Sequence, residues 1–366
     1  MKIKHIGKVV TYLILAVNTF FIGLLLLTAY SPHIKPVAHP VESCFGLTFP
    51  IFLVIDICFL LFWLIIQKYK FALLPLTALL FCHSQIHTYF PINFHTRNVP
   101  EGSFKVLSYN IMGFNGAVKK EGENPILNYL KESGADILCL QEYQTIESPR
   151  YLRQKDVENA LKDYPYHRIH TVGKGKNHSN RIACYSKFPI LTAHELDYAS
   201  EYNGSIAYEL KIGEDTLLLI NNHLESNKLT KEDKVVYEEM FKDPETERVK
   251  SGARLLIRKL AEASALRSPQ ADSIAREIAS SPHPYIIVCG DFNDTPISYA
   301  HRVISRNLND AFTQSGCGLG ISYNQNKFYF RIDNILASKN LKSYNCTVDR
   351  SIKESDHYPI WCYFTK

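Results

Sequence analysis

Two long apolar runs near the N-terminus constrain the fold of this chain most strongly. The first covers residues 9–30 and carries no charged side chain, which is enough residues for a helix to cross a hydrocarbon core of about 30 Å. The second covers residues 47–66 and is interrupted only by Asp56. A cleaved signal peptide is the alternative for the first run, but that run is too long and lacks a small-x-small cleavage signal. Both runs predict transmembrane helices.

A third run, residues 71–90, begins apolar and turns polar from His83 onward. We therefore predict a membrane anchor over residues 1–95 with two or three transmembrane helices, at about 9–30, 47–66 and 71–90. Asp56 lies inside the second of them, and an ionisable group in a span is a functional candidate by default. Because the sequence offers no relay partner for it, a role in helix packing is favoured.

The lysines around these runs predict the orientation of the anchor. Basic residues precede the first run and separate the second from the third, at Lys2, Lys4, Lys8, Lys68 and Lys70. The loop between the first two runs has only Lys35. The positive-inside rule then places the N-terminus in the cytoplasm. Three spans would put the rest of the chain on the outer side of the cytoplasmic membrane, whereas two would leave it in the cytoplasm.

Composition excludes several classes of protein. The net charge of +5 comes without a polybasic tail, which argues against a dedicated nucleic-acid-binding surface but leaves nucleic acid possible as a substrate. The nine cysteines contain no Cys-x-x-Cys pair, so we predict neither a zinc site nor a disulfide framework. Cys139, Cys184, Cys289 and Cys362 fall in apolar runs and are predicted core residues.

From about Phe104 to Lys366 the sequence alternates strands with helices and predicts one α/β domain over residues 100–366. The predicted strands are 104–112, 136–140, 181–190, 207–212, 216–225, 285–293, 330–338 and 357–364. A short amphipathic helix with Ile126, Leu127 and Leu130 on one face precedes a predicted cap at Gly134. Residues 247–267 and 272–280 predict two further helices.

Polar side chains stand at or near the ends of several of these strands, where a buried strand has no structural need for them. They are Asn110, Glu142, His223, Asp291, Asn293, Asp333, Asp356 and His357. Each one alone has an ordinary explanation as a turn residue, a surface ion pair or a core histidine. Their joint occurrence predicts a site at one edge of an α/β sheet. The oxygen-rich set suits Mg²⁺ or Mn²⁺ better than zinc.

Six motifs occur in a fixed order over about residues 103–366: SYNI, LQE, NHLES, GDFND, RIDNIL and SDHYPI. In this order the chain resembles the endonuclease/exonuclease/phosphatase superfamily of metal-dependent phosphoesterases. These include pancreatic deoxyribonuclease, abasic-site endonucleases, bacterial sphingomyelinases and inositol-phosphate 5-phosphatases. The resemblance implies a four-layer α/β sandwich of two packed mixed β-sheets flanked by helices. The N-terminus looks like that of membrane-anchored members.

The resemblance implies a metal site and hydrolysis by in-line attack of water. Glu142 matches the principal metal ligand. Asn110 and Asp356 match residues beside it that hold the ion directly or through water. One or two metal ions remain open alternatives, with Mg²⁺ or Mn²⁺ as the cofactor.

The resemblance also implies the catalytic residues. Asp291 matches the residue that orients and deprotonates the attacking water, and Asn293 matches one that bonds the phosphate or the nucleophile. His223 and His357 match phosphate-contacting residues. Asp333 matches the carboxylate that orients His357 and favours its imidazolium form.

Asn180, Arg181 and Asn324 are weaker candidates for substrate contact, and Arg181 fits a surface ion pair equally well. Two departures from the family matter. The segments VCGDFND and FRIDNIL differ from those of the inositol 5-phosphatases, which counts against that branch. Asn334 stands where many members carry an aromatic residue, which affects local packing or substrate contact.

These expectations combine into a membrane-anchored phosphodiesterase. Its substrate would be a nucleic acid, a nucleotide or a phospholipid head group, and no obligate protein partner is predicted. A phosphomonoesterase using the same site is one alternative. A catalytically inactive binding domain is another, but it predicts the loss of a core site residue, and none is missing.

Overall fold

The computed structural model of the protein describes residues 2–119, 123–175, 180–242, 247–325 and 328–366. Its helical elements are α1 (Lys2–Tyr30), α2 (Pro40–Ser43), α3 (Phe49–Ile65), α4 (Tyr69–Phe81), α5 (His83–Tyr89), α6 (Met112–Gly116), α7 (Pro125–Glu132), α8 (Gln154–Ala160), α9 (Lys231–Lys242), α10 (Glu247–Ser280), α11 (Tyr299–Ile304) and α12 (Ala311–Ser315). Its strands are β1 (Phe104–Asn110), β2 (Ile137–Gln141), β3 (Tyr166–Val172), β4 (Asn180–Ser186), β5 (Ile190–Glu195), β6 (Gly204–Ile212), β7 (Asp215–His223), β8 (Tyr285–Asp291), β9 (Leu308–Asp310), β10 (Tyr323–Gln325), β11 (Phe328–Phe330), β12 (Asp333–Ser338), β13 (Lys342–Val348) and β14 (Ile360–Thr365).

The N-terminal apolar runs form helices. Within the described residues, two stretches are long and apolar enough to cross a membrane, Gly7–His33 and Pro40–Ile65. The third predicted run is divided: α4 is a shorter apolar helix, and α5 follows it after Cys82. The division falls where the sequence turns polar at His83. The helices pack through a cluster that includes Leu25, Phe49 and Ala78.

The remainder of the chain is built around two six-stranded sheets. Sheet I has the strand order β13-β14-β1-β2-β4-β3, and sheet II has the order β5-β6-β7-β8-β12-β9. Each sheet is mixed, because β1 pairs with β2 and β7 pairs with β8 in parallel while their other neighbours are antiparallel. A separate two-stranded hairpin, β10-β11, stands beside them.

Alternating side chains divide the core into three apolar layers, because successive residues of a strand point to opposite faces. Val106 and Cys139 of sheet I meet Leu219 and Ile287 of sheet II in the layer between the sheets. The outer face of sheet I packs on α7 and α8. The outer face of sheet II packs on α10 and α11. The architecture is therefore the expected four-layer α/β sandwich, with the four cysteines Cys139, Cys184, Cys289 and Cys362 in its central layer.

Local sequence reasoning succeeded for α7 and failed in three places, one of which is the predicted strand 181–190, where Ser186 ends β4 and Ile190 begins β5. Asn124 caps α7 by accepting from the Leu127 N–H, and Gly134 adopts a left-handed φ of 64° just after it. Residues 247–280 form one helix rather than two, although Pro269 lies inside it. The predicted strand 330–338 is broken, since Phe330 ends β11 and Asp333 begins β12.

Candidate functional site

At one end of the sandwich the space between the sheets turns from apolar to polar. Inward-facing positions that hold apolar side chains elsewhere hold Ser108, Gln141 and Asn221 here, all with no exposed surface. The Gln141 amide nitrogen donates to the Asn221 side-chain oxygen at 2.6 Å and to the Ser108 hydroxyl at 3.1 Å. Because buried polar groups must be paired, this layer joins the two sheets directly beneath the strand ends.

Strand register places three predicted site residues side by side. His223 at the end of β7 pairs with Asp291 at the end of β8, and Asp291 pairs with Asp333 at the start of β12. Paired residues of adjacent strands project from the same face of a sheet. All three side chains therefore point into the space between the sheets, and all three are buried.

Gly290 makes this register possible. Its φ is 126°, and a Cβ atom there would lie 2.0 Å from the Asn222 carbonyl oxygen of β7. Only glycine combines that backbone conformation with so close an approach of two strands. The glycine of the GDFND motif thus fixes Asp291 beside His223.

Sheet I contributes Asn110 and Glu142 from the ends of β1 and β2. The Asn110 side-chain nitrogen donates to the Glu142 Oε1 atom at 3.1 Å and to the Asp291 Oδ2 atom at 3.2 Å. Its side-chain oxygen accepts from the Met112 N–H at 3.2 Å. Asn110 is the direct link between the carboxylates of the two sheets.

Two of the site residues have unusual backbone conformations. Glu142 has a φ of 51° and Asn293 a φ of 52°, in the left-handed region that costs non-glycine residues about 1–3 kcal/mol when the surroundings impose it. Glu142 follows the last residue of β2, and Asn293 lies two residues after the end of β8, so both stand where the chain turns out of a sheet. Such outliers concentrate at functional sites.

His357 and Asp333 form a buried ion pair. The His357 Nδ1 atom lies 2.8 Å from the Asp333 Oδ2 atom, and its Nε2 atom lies 3.6 Å from the Asp291 Oδ2 atom. Burial lowers the pKa of His357, but the carboxylates of Asp333 and Asp291 outweigh it and raise this pKa to about 10. A pKa in this range favours the protonated imidazole at neutral pH, held between the carboxylates of Asp333 and Asp291.

Asp291 lies at the centre of the cluster. Burial raises its pKa to about 6, assisted by the charge of Asp333 and opposed by His357 and His223. The Asn293 N–H donates to its Oδ1 atom at 2.8 Å. A carboxylate with a pKa near the working pH is suited to accept a proton.

His223 lies between the carboxylates of the two sheets. Its Nε2 atom is 3.6 Å from the Glu142 Oε1 atom and 3.7 Å from the Asp291 Oδ2 atom. Its ring is 3% exposed, whereas the Glu142 side chain is 36% exposed. Glu142 is therefore the carboxylate of this group that a solute can reach.

Asp356 and Asn293 complete the set of predicted site residues. Ser355, next to Asp356, donates its hydroxyl to the Asn110 carbonyl oxygen at 2.7 Å, which ties this segment to β1. The Asn293 side-chain nitrogen donates to the Leu224 carbonyl oxygen at 3.0 Å, just beyond His223. The structure thus brings the eight predicted residues to one end of the sandwich.

The weaker candidates lie on the rim. Arg181 donates to the Thr145 hydroxyl at 3.2 Å and packs over the Tyr143 ring, in place of the surface ion pair. Asn324 donates to the Tyr358 hydroxyl at 2.7 Å. Asn180 begins β4 and pairs with Val172 of β3, the edge strand of sheet I.

Tyr323 is a site residue that sequence reasoning missed, because no motif marks it. Its ring packs edge-on against His357 with centroids 5.0 Å apart. Burial raises the pKa of its phenol, and the carboxylates of Asp356, Asp291 and Glu142 raise it further, so the hydroxyl faces the acidic cluster. Ser355 could have been noticed, because it belongs to the SDHYPI motif.

The residues fit a hard divalent ion at Glu142 better than at the buried triad. Asp291, Asp333 and His357 each offer a ligand atom within 4.8 Å of the others. However, the His357 Nδ1 atom and the Asp333 Oδ2 atom, 2.8 Å apart, are already bonded to each other. The partly exposed Glu142 carboxylate offers the oxygen ligand that Mg²⁺ and Mn²⁺ prefer.

The two-sheet sandwich and the cluster of carboxylates and histidines at one end of it are found in phosphoesterases. The model of the endonuclease/exonuclease/phosphatase family matches residues 107–357, and the chain belongs to this family, whose members are generally phosphoesterase or nuclease hydrolases. A second model, described as a domain of unknown function (DUF8431), matches residues 11–89. A search of curated protein sequences gives no match.

Several solved structures are similar to this chain at low sequence identity. The endonuclease/exonuclease/phosphatase from Beutenbergia cavernae is 13% identical with a TM-score of 0.50, covering 72% of this chain and 71% of that one. A humanized D. rerio TDP2 is 15% identical with a TM-score of 0.49, covering 73% and 100%. The human Nocturnin catalytic domain is 17% identical with a TM-score of 0.49, covering 75% and 96%.

Proposed function

We propose that the protein is a membrane-anchored, divalent-metal-dependent phosphodiesterase. The observation that carries this proposal is the buried Asp291 carboxylate, flanked by His223 and His357 and linked through Asn110 to Glu142. It places a group able to accept a proton beside two imidazole groups able to donate a hydrogen bond to a phosphate. Mg²⁺ or Mn²⁺ is the proposed cofactor.

Glu142 is the proposed ligand of the ion, with Asn110 and Asp356 beside it. In the structure the side-chain nitrogen of Asn110 points toward Glu142. Because an amide nitrogen is a donor and not a metal ligand, this orientation favours contact between Asn110 and the ion through water. When bound, a divalent ion supplies positive charge at a phosphoryl oxygen. No other step of the proposed reaction depends on these three residues.

Asp291 accepts a proton from the attacking water in this proposal. The new bond forms between the water oxygen and phosphorus, and the bond from phosphorus to the leaving oxygen breaks in line with it. The Asn293 N–H bond to Asp291 Oδ1 fixes the carboxylate, which leaves its Oδ2 atom to face the two histidines. The Asn293 amide then bonds the nucleophile or the phosphate.

The two histidines stabilise negative charge on the phosphate. His357 is held as an imidazolium by Asp333, so its Nε2–H donates to a phosphoryl oxygen or delivers a proton to the leaving group. His223 takes the corresponding position on the other side of Asp291. Asp333 is a positioning residue, since it acts through His357.

Residues 1–95 form the proposed anchor, and residues 100–366 the catalytic domain. The segment between α1 and α3 contacts the catalytic domain, where Pro32 accepts from Arg302 at 2.8 Å. The end of the third apolar run contacts the same domain, because the Thr88 carbonyl oxygen accepts from Arg331. Both contacts require the loop after α1 and the end of the third apolar run to lie on the same side of the membrane as the catalytic domain. A chain that crosses the bilayer three times places them so, which supports an extracytoplasmic domain. A reporter fused after residue 100 that is active in the cytoplasm would refute this orientation.

Hydrolysis of bis-p-nitrophenyl phosphate by the full chain in detergent tests the function. We expect turnover with Mg²⁺ or Mn²⁺, its loss on chelation, and a loss of orders of magnitude in His357→Ala. The matched control is Asp197→Ala, at a fully exposed carboxylate. Turnover that survives complete chelation would contradict the metal requirement. Faster turnover of p-nitrophenyl phosphate than of bis-p-nitrophenyl phosphate would favour a phosphomonoesterase. Absence of turnover on both substrates would favour an inactive domain.

A further inference from the structure

The membrane anchor is packed against the catalytic domain rather than joined to it by a linker alone. The Ser43 hydroxyl of α2 lies 3.1 Å from the Ser264 hydroxyl of α10, and Lys35 lies 3.9 Å from Asp272 of the same helix. Gly46 packs so closely that a Cβ atom there would overlap the Ile297 carbonyl oxygen. Ile297 also joins the apolar cluster of the anchor helices.

These contacts fall at the catalytic edge of sheet II. Ile297 follows Asp291 by six residues, in the loop that leaves β8. Arg331, which bonds Thr88 of the anchor, precedes Asp333 by two residues. Because Asp291 and Asp333 are paired across β8 and β12, the anchor docks on the edge where both carboxylates stand.

The loop that carries Asp291 is also braced from α10. The Asp294 carboxylate, which is partly buried, pairs with the buried Arg267 at 3.2 Å. Arg267 donates as well to the Glu225 carbonyl oxygen at 2.9 Å, just after His223. One helix therefore holds the strand ends of the site and the anchor loop together.

One face of α10 extends this contact beyond the anchor. Lys250, Arg254, Ile257 and Ser264 are spaced by four, three and seven residues, so they lie in one row along the helix. Ser264 contacts the anchor, while Lys250, Arg254 and Ile257 are exposed; Lys250 pairs with Glu247 at 3.1 Å, so among the described residues Arg254 supplies the uncompensated positive charge of this row. Basic and apolar side chains on one helix face suit the head-group region of an anionic bilayer.

We infer that the substrate is a phosphodiester carried by a lipid of the bilayer that the anchor spans. This inference rests on the proposed phosphodiesterase function and on the proposed anchor. The anchor holds the catalytic edge near the head groups, and the basic face of α10 lies along the same surface. A lipid phosphate is then presented to Asp291 and the two histidines without leaving the membrane, whereas a nucleic acid has to approach from solution.

The first test compares substrates with the full chain reconstituted in phosphatidylcholine vesicles. Phosphatidylglycerol, phosphatidylethanolamine or sphingomyelin is added to the vesicles, and the cleaved product is measured with Mg²⁺ or Mn²⁺. A single-stranded oligonucleotide at the same phosphodiester concentration is the comparison substrate. Hydrolysis of bis-p-nitrophenyl phosphate measures the phosphodiesterase activity independently of the lipid or the nucleic acid. We expect at least one lipid to be cleaved about tenfold faster than the oligonucleotide.

The outcomes separate the two proposals. Turnover of bis-p-nitrophenyl phosphate together with an oligonucleotide rate that equals or exceeds every lipid rate overturns the lipid inference and leaves the phosphodiesterase function standing. Absence of turnover on all these substrates overturns both.

The second test uses two exposed apolar residues on opposite faces of α10. Ile257 is 46% exposed and Leu255 is 47% exposed, but only Ile257 lies in the row that leads to the anchor. Ile257→Asp is expected to lower the ratio of lipid to bis-p-nitrophenyl phosphate turnover about fivefold, and Leu255→Asp is expected to leave it unchanged. Equal ratios in the two variants would contradict the assigned orientation of the helix.

Discussion

Replacing Asp291 by Asn should inactivate the enzyme and stabilise its fold. The folded-state pKa of Asp291 is about 6, against an ordinary value of 3.8, so the folded protein holds this proton more tightly than the unfolded chain. The ionised carboxylate then destabilises the fold, increasingly as the pH rises through 3.8 and fully above about 6. At about 1.36 kcal/mol for each pKa unit, this difference amounts to about 3 kcal/mol at neutral pH.

The asparagine side chain of this variant is neutral and has the same shape as the carboxylate, but its NH2 group replaces an oxygen that accepts from Asn110 or from the Asn293 N–H, so it relieves only part of that amount. For a domain of this size each kcal/mol corresponds to about 2–4 °C in Tm, and a rise of several degrees is expected. Loss of the proton acceptor should lower kcat by about 10²–10⁴-fold. Both effects are measured on the full chain in detergent, by thermal unfolding and by hydrolysis of bis-p-nitrophenyl phosphate.

Asp294→Asn is the matched control in the same loop. Asp294 pairs with the buried Arg267, so losing its charge leaves a buried cation uncompensated and should cost about 3 kcal/mol or more. Activity per folded molecule should persist, because Asp294 contacts no reacting group. The reasoning is refuted if Asp291→Asn lowers the Tm as Asp294→Asn does, or if it keeps more than about a tenth of the wild-type kcat.

Three further predictions concern other parts of the fold. Asp333→Asn should lower kcat about 100-fold or more with little change in KM, because His357 loses the partner that holds it as an imidazolium; an unchanged kcat would exclude the positioning role. Gly290→Ala should cost about 3–5 kcal/mol in unfolding free energy, since its Cβ would meet the Asn222 carbonyl oxygen at 2.0 Å in a strained conformation; Gly102→Ala, with no atom within 4 Å, is the control and should cost far less. Burial raises the pKa of Asp310, but Arg331 and His301 outweigh it and hold this pKa well below its usual range. The interactions of the Asp310 carboxylate with these two residues therefore stabilise the fold above the ordinary carboxyl pKa, and this stabilisation is lost as the pH falls. Asp310→Asn should therefore be less stable than wild type near neutral pH and lose less Tm on acidification, and an equal loss would contradict the assignment.

The sequence by itself determined the class of fold and the apolar helices, and it supplied the candidate site residues. Segments such as 285–291 are near-continuous runs of β-forming residues, which is typical of strands buried on both faces, and Asn124 and Gly134 mark the ends of α7 by local backbone chemistry. The strand-end residues could be recognised because a polar group at the end of an apolar strand has no local reason to be there. Six such motifs in order were sufficient to assign the family.

Tertiary structure alone decided how these residues meet. The pairing of His223 with Asp291 and of Asp291 with Asp333 depends on strand register across β7, β8 and β12, which residues far apart in the chain set together. Tyr323 carries no sequence signal, because its place beside His357 follows from the docking of the β10-β11 hairpin. The continuation of α10 through Pro269 also lies beyond local rules, since contacts on both sides of the proline hold a helix that propensity alone would break.

The contact between the anchor and the catalytic edge was equally invisible in the sequence. Gly46 and Ile297 are distant in the chain, and neither has an unusual neighbourhood, yet their close packing places the candidate site beside the apolar N-terminal helices. Local interactions determine the helices and strands, whose signals are periodic and short. Long-range packing determines which surfaces face each other, and that information is distributed over residues that individually look ordinary.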